Sequence, residues 1–253
     1  MPWQSFTVSY AGERSEGEVP SWMDKPYTIW FRCPCTILHN QISSRDFANE
    51  MDYAPQHVFT SENKHEYRNF MLGDWAWLQV DELGKDPANI GSTFCPVILG
   101  SDKTTVSVAT GSNEYYPLYV LNGLVHNGAH HAHRDAVMVG AFLAIPKGMS
   151  SSTLPSYMSA KITNLADREH SGSKLFRTFR RQLFHASLEC ILSSLRPFMT
   201  EPEVVRCADG HFRRIIYGLG PYIADYPEQA LLACIVQGWC PRLVGSQFYA
   251  PKP

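Results

Sequence analysis

Three short runs decide the fold of this 253-residue chain: FCPVILGSD (94–102), TTVSVAT (104–110) and PLYVLNGLV (117–125). Each is rich in Val, Ile, Thr and Tyr, and each is separated from the next by a polar turn, GSDK or TGSNEYY. Such spacing predicts a strand meander. AVMVGAFLAIP (136–146) is a further buried segment whose period does not choose between strand and helix. RRIIYGLGPYIA (213–224) predicts a strand interrupted by Gly218-Leu219-Gly220-Pro221, and a last helix is predicted from about Asp225 through ALLACIVQ to Gly238.

Two longer helices are predicted. Over 60–83, Thr60 or Ser61 can cap the start, Tyr67, Phe70, Met71, Trp75, Leu78 and Leu83 recur at helical spacing, and Gly84 is a stop. Phe176, Phe179, Leu183, Phe184, Leu188, Ile191, Leu192 and Leu195 follow a 3.6-residue period that Pro197 ends. A meander followed by a long helix, a strand and another helix predicts α/β (α+β) architecture, one mixed sheet covered by helices. Residues 1–44 are expected to be a mobile or extended N-terminal arm, 45–90 a helical lead-in, and 91–240 the core with a polar loop insertion at 147–174. Residues 241–253 are expected to form a divergent, irregular tail.

Composition narrows the function. Hydrophobic residues make up 44% and charged residues 18%, enough to bury a core and against wholesale disorder. The 22 basic and 24 acidic residues give a net charge of −2, so attraction to DNA through overall charge is disfavoured, which leaves room for a local basic patch. The longest apolar run is too short for a membrane span, and the N-terminus lacks the apolar stretch of a secretory signal. Seven scattered cysteines, at 33, 35, 95, 190, 207, 234 and 240, fit a reduced intracellular protein better than a disulfide framework. No phosphate-binding glycine loop, nucleophile elbow or zinc-protease motif is present, and no small-molecule cofactor is expected.

Asp102 follows Val97-Ile98-Leu99, and Asp225 follows Tyr222-Ile223-Ala224, so both acids fall at the ends of predicted strands. Carboxylates converging from neighbouring strand ends suit a hard divalent cation, and paired cations of this kind cleave phosphodiesters. Each acid also has a plain reading: SDKT is an ordinary turn, and Asp225 three residues before Glu228 is a capping box. Lys174, Arg177, Arg180 and Arg181 open the long helix with a basic face that is either solvated or contacts phosphate. His126, His130, His131 and His133 lack a nearby cysteine pair for zinc, Cys33-Pro34-Cys35 lacks a partner pair, and Cys240 has Leu243 where a second thiol would complete CxxC.

From Arg45 to Pro241 the chain resembles the Plavaka-type transposases, fungal cut-and-paste elements related to the CACTA group. LGSDKTTVSVATG and YGLGPYIADYPEQALLACIVQGWCP are the long runs that carry the resemblance. It implies a partial RNase H-like mixed sheet with flanking helices, truncated at the C-terminal side. In the family three acids bind Mg²⁺ or Mn²⁺ and cut DNA. Asp102 matches the first and Asp225 the second, both catalytic and metal-binding, while the third is expected beyond this sequence. Cys240 matches the first thiol of a zinc knuckle that Leu243 leaves vestigial, so zinc is not expected here, and His130 and His131 stand where the family is basic. The partners implied are DNA at transposon ends and, by self-association, a second copy, with a nuclear destination. The chain is thus expected to be a transposase fragment inactive alone; the alternative is a non-catalytic transposon-derived remnant that binds DNA or protein. Truncation also leads us to expect exposed apolar surface around residues 226–237.

Overall fold

The computed structural model describes residues 1–14, 19–107, 113–131, 135–146 and 173–235. The strands are β1 (Gln4–Val8), β2 (Tyr27–Phe31), β3 (Thr93–Ser101), β4 (Thr104–Ser107), β5 (Asn113–Tyr115), β6 (Pro117–Asn122), β7 (Val137–Phe142), β8 (Glu203–Arg206) and β9 (Phe212–Ile223). The helices are α1 (Ser21–Asp24), α2 (Pro34–Ser43), α3 (Asp74–Leu83), α4 (Asn127–His131), α5 (Lys174–Leu192) and α6 (Tyr226–Leu232). Seven strands form one mixed sheet in the order β1-β2-β7-β6-β3-β9-β8, and β4 pairs with β5 in a separate ribbon. The architecture is α+β, as the element order predicts.

β3 is the centre of the sheet. Its residues are buried from Phe94 to Ser101, which explains why it reads as an unbroken apolar run rather than an alternating one. It runs antiparallel to β6 and parallel to β9. The last pairs with β9 are Leu99 with Tyr222 and Gly100 with Ile223. The glycine-rich stretch expected to interrupt β9 lies within one continuous strand: the irregularity is a register shift between Val97 and Leu99. Segment 136–146 resolves as strand β7.

α5 supplies the main cover. Ser173 Oγ accepts from the Phe176 amide at 3.4 Å and starts the helix. Phe176, Phe179, Leu183, Phe184, Leu188 and Ile191 are buried in one core with Ile37, Leu38 and Ile42 of α2 and with Leu99, Leu118, Val120 and Tyr217 of the sheet. The N-terminal segment belongs to that same core. Trp22 is 1% exposed and stacks on Phe179 at 5.0 Å, while Tyr10 meets both rings edge-on. Large aromatic side chains bury enough area to hold a chain end in place. Residues 4–8 and 27–31, read from sequence as part of a mobile or extended arm, are accordingly the outer two strands of the sheet.

The helix expected over 60–83 is confined to Asp74–Leu83. Thr60 does cap, but it caps a turn: its Oγ1 accepts from the Glu62 and Lys64 amides, Asn63 has φ +58°, and Phe59 bridges His65. Asn69 and Gly73 are extended, so Gly73 begins α3 rather than sitting within it. Tyr67 and Leu78, counted toward the apolar stripe, are 62% and 64% exposed. The last helix also stops early, at Leu232. Cys234 adopts φ +56° and the Ile235 amide reaches back to the Ala230 carbonyl, a left-handed closure of the kind that ends helices.

Candidate functional site

The two acids singled out from the sequence lie at the same edge of the sheet. Because Gly100 pairs with Ile223 across parallel strands, Asp102 and Asp225 each stand two residues beyond the last pair. Neighbouring strands are about 4.8 Å apart where they pair, and both acids lie just past that paired stretch. Both aspartates are exposed. Thr104 Oγ1 donates to Asp102 Oδ2 at 3.2 Å.

Asp225 occupies the N-cap of α6, but the capping box suggested by its spacing to Glu228 does not form. Its backbone carbonyl accepts from the Glu228 and Gln229 amides at 3.0 and 2.9 Å, and its side chain makes no capping hydrogen bond. Glu228 turns instead toward β3, where its Oε2 accepts from Ser101 Oγ. Ser101 Oγ in turn accepts from Tyr222 Oη at 2.8 Å, and the Tyr116 hydroxyl joins the same group. Burial pushes the Tyr222 hydroxyl up to about 12 and raises that of Tyr116, with the Glu228 carboxylate adding to both. These phenols therefore remain protonated and act as donors. A half-buried polar knot thus ties the end of β3 to the end of β9 and to α6, leaving the Asp225 carboxylate uncommitted to its own helix among the described residues.

Lys174, Arg177 and Arg180 are exposed on the first turns of α5, with Arg181 half-buried. None makes an ion pair with a described residue. Phe184, three residues after Arg181, has its ring 6.3 Å from that of Tyr222, whereas Phe176 and Phe179, which alternate with the basic residues, pack on Trp22. Among the described residues His126, His130 and His131 do not gather into a site: His126 Nε2 faces Asp52 Oδ1 at 3.0 Å, and His130 and His131 lie on α4, His130 with its pKa lowered by burial. His133, Cys240, Leu243, most of the 147–174 insertion and the 241–253 tail lie outside the described residues.

Sequence reasoning missed two mixed clusters in which His, Cys or carboxylate donor atoms come within 4.8 Å of one another: Cys35 with His39 and Glu203, and His57 with His65 and Asp74. Cys35 and His39 are spaced by four on a helix, a pattern visible in the sequence. Glu203 comes from the far side of the chain, and only the fold brings it in.

The fold is that of an α+β protein with a seven-stranded mixed sheet, in which Asp102 and Asp225 each follow the last β3–β9 pair by two residues. The family model for Plavaka transposase matches residues 1–247, nearly the whole chain, and the protein belongs to that family. The match includes the first 44 residues, for which the sequence resemblance made no claim. No curated protein and no solved structure matches the chain. Among the described residues no helix is long and apolar enough to cross a membrane.

Proposed function

We propose that the chain carries part of an RNase H-like catalytic centre of a DNA transposase, in which Asp102 and Asp225 hold a divalent cation, Mg²⁺ or Mn²⁺. The observation that carries the reading is the strand register, which sets both acids two residues past the Gly100–Ile223 pair. The donor set fits: two exposed carboxylates, one steadied by Thr104 and the other free of its capping role, are hard oxygen ligands with room for water on the remaining positions. A cation held there neutralises charge building on a phosphodiester as it is cleaved or transferred.

The chain's own residues supply position. The Ser101–Tyr222–Glu228 knot holds the two strand ends at fixed separation. Lys174, Arg177, Arg180 and Arg181 offer phosphate contacts that orient DNA toward those ends, since a guanidinium fork matches two phosphate oxygens. Recognition of transposon ends, self-association and a nuclear destination belong to this same reading. The non-catalytic alternative keeps the basic helix and dispenses with the cation.

Mn²⁺ binding followed by electron paramagnetic resonance separates the two. The expected result is binding that Mg²⁺ competes away and that Asp102→Asn and Asp225→Asn each weaken by roughly tenfold or more. Equal binding by both variants overturns the metal centre and leaves the binding module.

A further inference from the structure

We infer that Cys35, His39 and Glu203 form a zinc-binding site through a thiolate, an imidazole and a carboxylate, at the end of the sheet remote from Asp102 and Asp225. This does not rest on the transposase reading. It departs from the expectation, drawn from the broken cysteine motif at Cys240, that the chain has no place for zinc.

The site is built from two elements. Pro34 occupies the first position of α2, with Cys33 at the N-cap. Cys35 and His39 then fall one turn apart on a single helix face. Glu203 opens β8 and pairs with Ile215, which is level with Thr93 at the start of β3. β3 is nine residues long, so this corner lies about 30 Å from the strand ends that bear the acids.

The spacing suits zinc. His39 Nε2 stands 3.6 Å from Cys35 Sγ and 2.5 Å from Glu203 Oε1, so one imidazole nitrogen faces both other donors. Zinc bonds of about 2.3 Å to sulfur and 2.0–2.1 Å to nitrogen, at a tetrahedral angle, put the two ligand atoms roughly 3.5 Å apart. The sulfur–nitrogen edge is therefore already at its liganded length. On the same geometry the imidazole–carboxylate contact has to open by somewhat under an ångström, while the sulfur and the carboxylate oxygen lie within 4.8 Å of each other.

Chemistry selects the ion. A thiolate with an imidazole favours zinc over magnesium or calcium, whose preferred ligands are all oxygen. The side chains of His39 and Glu203 are 37% and 16% exposed, which leaves an entry path and room for solvent as the fourth ligand. The ion would pin the short edge strand β8 to α2.

Co²⁺ titration of the chelator-treated chain tests this, because cobalt takes zinc sites and reports its ligands optically. The expected spectrum has a thiolate-to-cobalt charge-transfer band in the near ultraviolet and strong tetrahedral bands in the visible, all abolished by one equivalent of Zn²⁺. Cys35→Ser should remove the charge-transfer band, and His39→Gln and Glu203→Gln should each weaken binding about tenfold or more. Cys33→Ser should leave the band in place. Circular dichroism reports folding, and Glu203→Gln, close in shape to the native residue, carries the test if Cys35→Ser does not fold. Absence of the thiolate band overturns the assignment, as does a cobalt spectrum without thiolate character, which places metal on His57, His65 and Asp74. Persistence of the band in Cys35→Ser also overturns it and points to Cys234, whose Sγ lies 3.3 Å from His185 Nε2.

Discussion

Ser101 and Glu228 are bonded across 127 residues of chain, the serine hydroxyl donating to the carboxylate while it accepts from Tyr222. Ser101 is 5% exposed and is the last residue of β3, and Glu228 is in the first turn of α6. The bond ties the first turn of α6 to the end of β3 in place of a capping box. It also fixes where Asp102 and Asp225 leave the sheet.

Truncating Glu228 should loosen that corner. Glu228→Ala leaves the Ser101 and Tyr116 hydroxyls buried without their acceptor, a loss of about 1–3 kcal/mol. Urea denaturation should show a lower midpoint with an unchanged slope. Mn²⁺ affinity should fall although neither aspartate is altered. Full retention of both would show that the knot does not position the acids.

Gly218 is a packing requirement. A Cβ there would meet the Phe94 ring at 2.4 and 2.9 Å, and that ring also packs against Trp75 at 5.9 Å. Gly218→Ala should destabilise by about 1–3 kcal/mol through overpacking. Phe94→Leu costs stability by itself through lost volume, but in the double variant the two costs should be less than additive. Strict additivity in a thermodynamic cycle would mean that the ring does not press on the glycine.

Much of the sheet is legible in the sequence because burial on both faces writes itself as apolar runs, as in β3, and a long helix is legible wherever one face is buried, as in α5. The segment 60–73 is not. Its aromatics keep a helical spacing while Tyr67 lies in solvent, and the Thr60 cap and Asn63 close a turn. β1 and β2 were hidden for a related reason: strands of five residues carry little period, and what holds them here is Trp22 docking on an α5 that begins 152 residues later. Asp102 and Asp225 were legible as two strand ends, and the expectation that those strands are neighbours needed the fold to establish it, since parallel pairing of β3 and β9 leaves no mark in either strand. Glu203 beside Cys35 and His39 is invisible for that same reason.

Asp209 and Arg213 give a pH dependence of known sign. The guanidinium donates to both carboxylate oxygens at 2.8 and 2.7 Å and lies 3.8 Å over the Tyr53 ring. The fork lowers the Asp209 carboxyl to about 2 against an opposing effect of burial, with the His211 amide helping. An unfolded aspartate titrates near 3.9, so the stabilisation is present in full above that value and is lost as pH falls from about 4 toward 2. Asp209→Asn should lower the melting temperature by a constant amount above about pH 5, with the difference closing below pH 4. A gap between the variants that persists at pH 2 would mean that the pair contributes through shape and not charge.

The basic turns of α5 make the sharpest claim about DNA. Removing a cation that contacts duplex phosphate lowers the slope of log affinity against log salt by roughly 0.9. Arg177→Ala with Arg180→Ala should therefore flatten the slope by about 2, and the loss should be the same on unrelated DNA sequences, because phosphate contacts carry no base information. Arg214→Gln is the control. That side chain is also on the surface, but its guanidinium is occupied by the Ala88 carbonyl at 2.6 Å and the Ile90 carbonyl at 3.4 Å, so its loss should cost stability and leave the slope alone. If the double variant binds with the native slope, the basic face of α5 is solvated and DNA is held elsewhere; if Arg214→Gln flattens it equally, the effect is one of total charge and not of this helix.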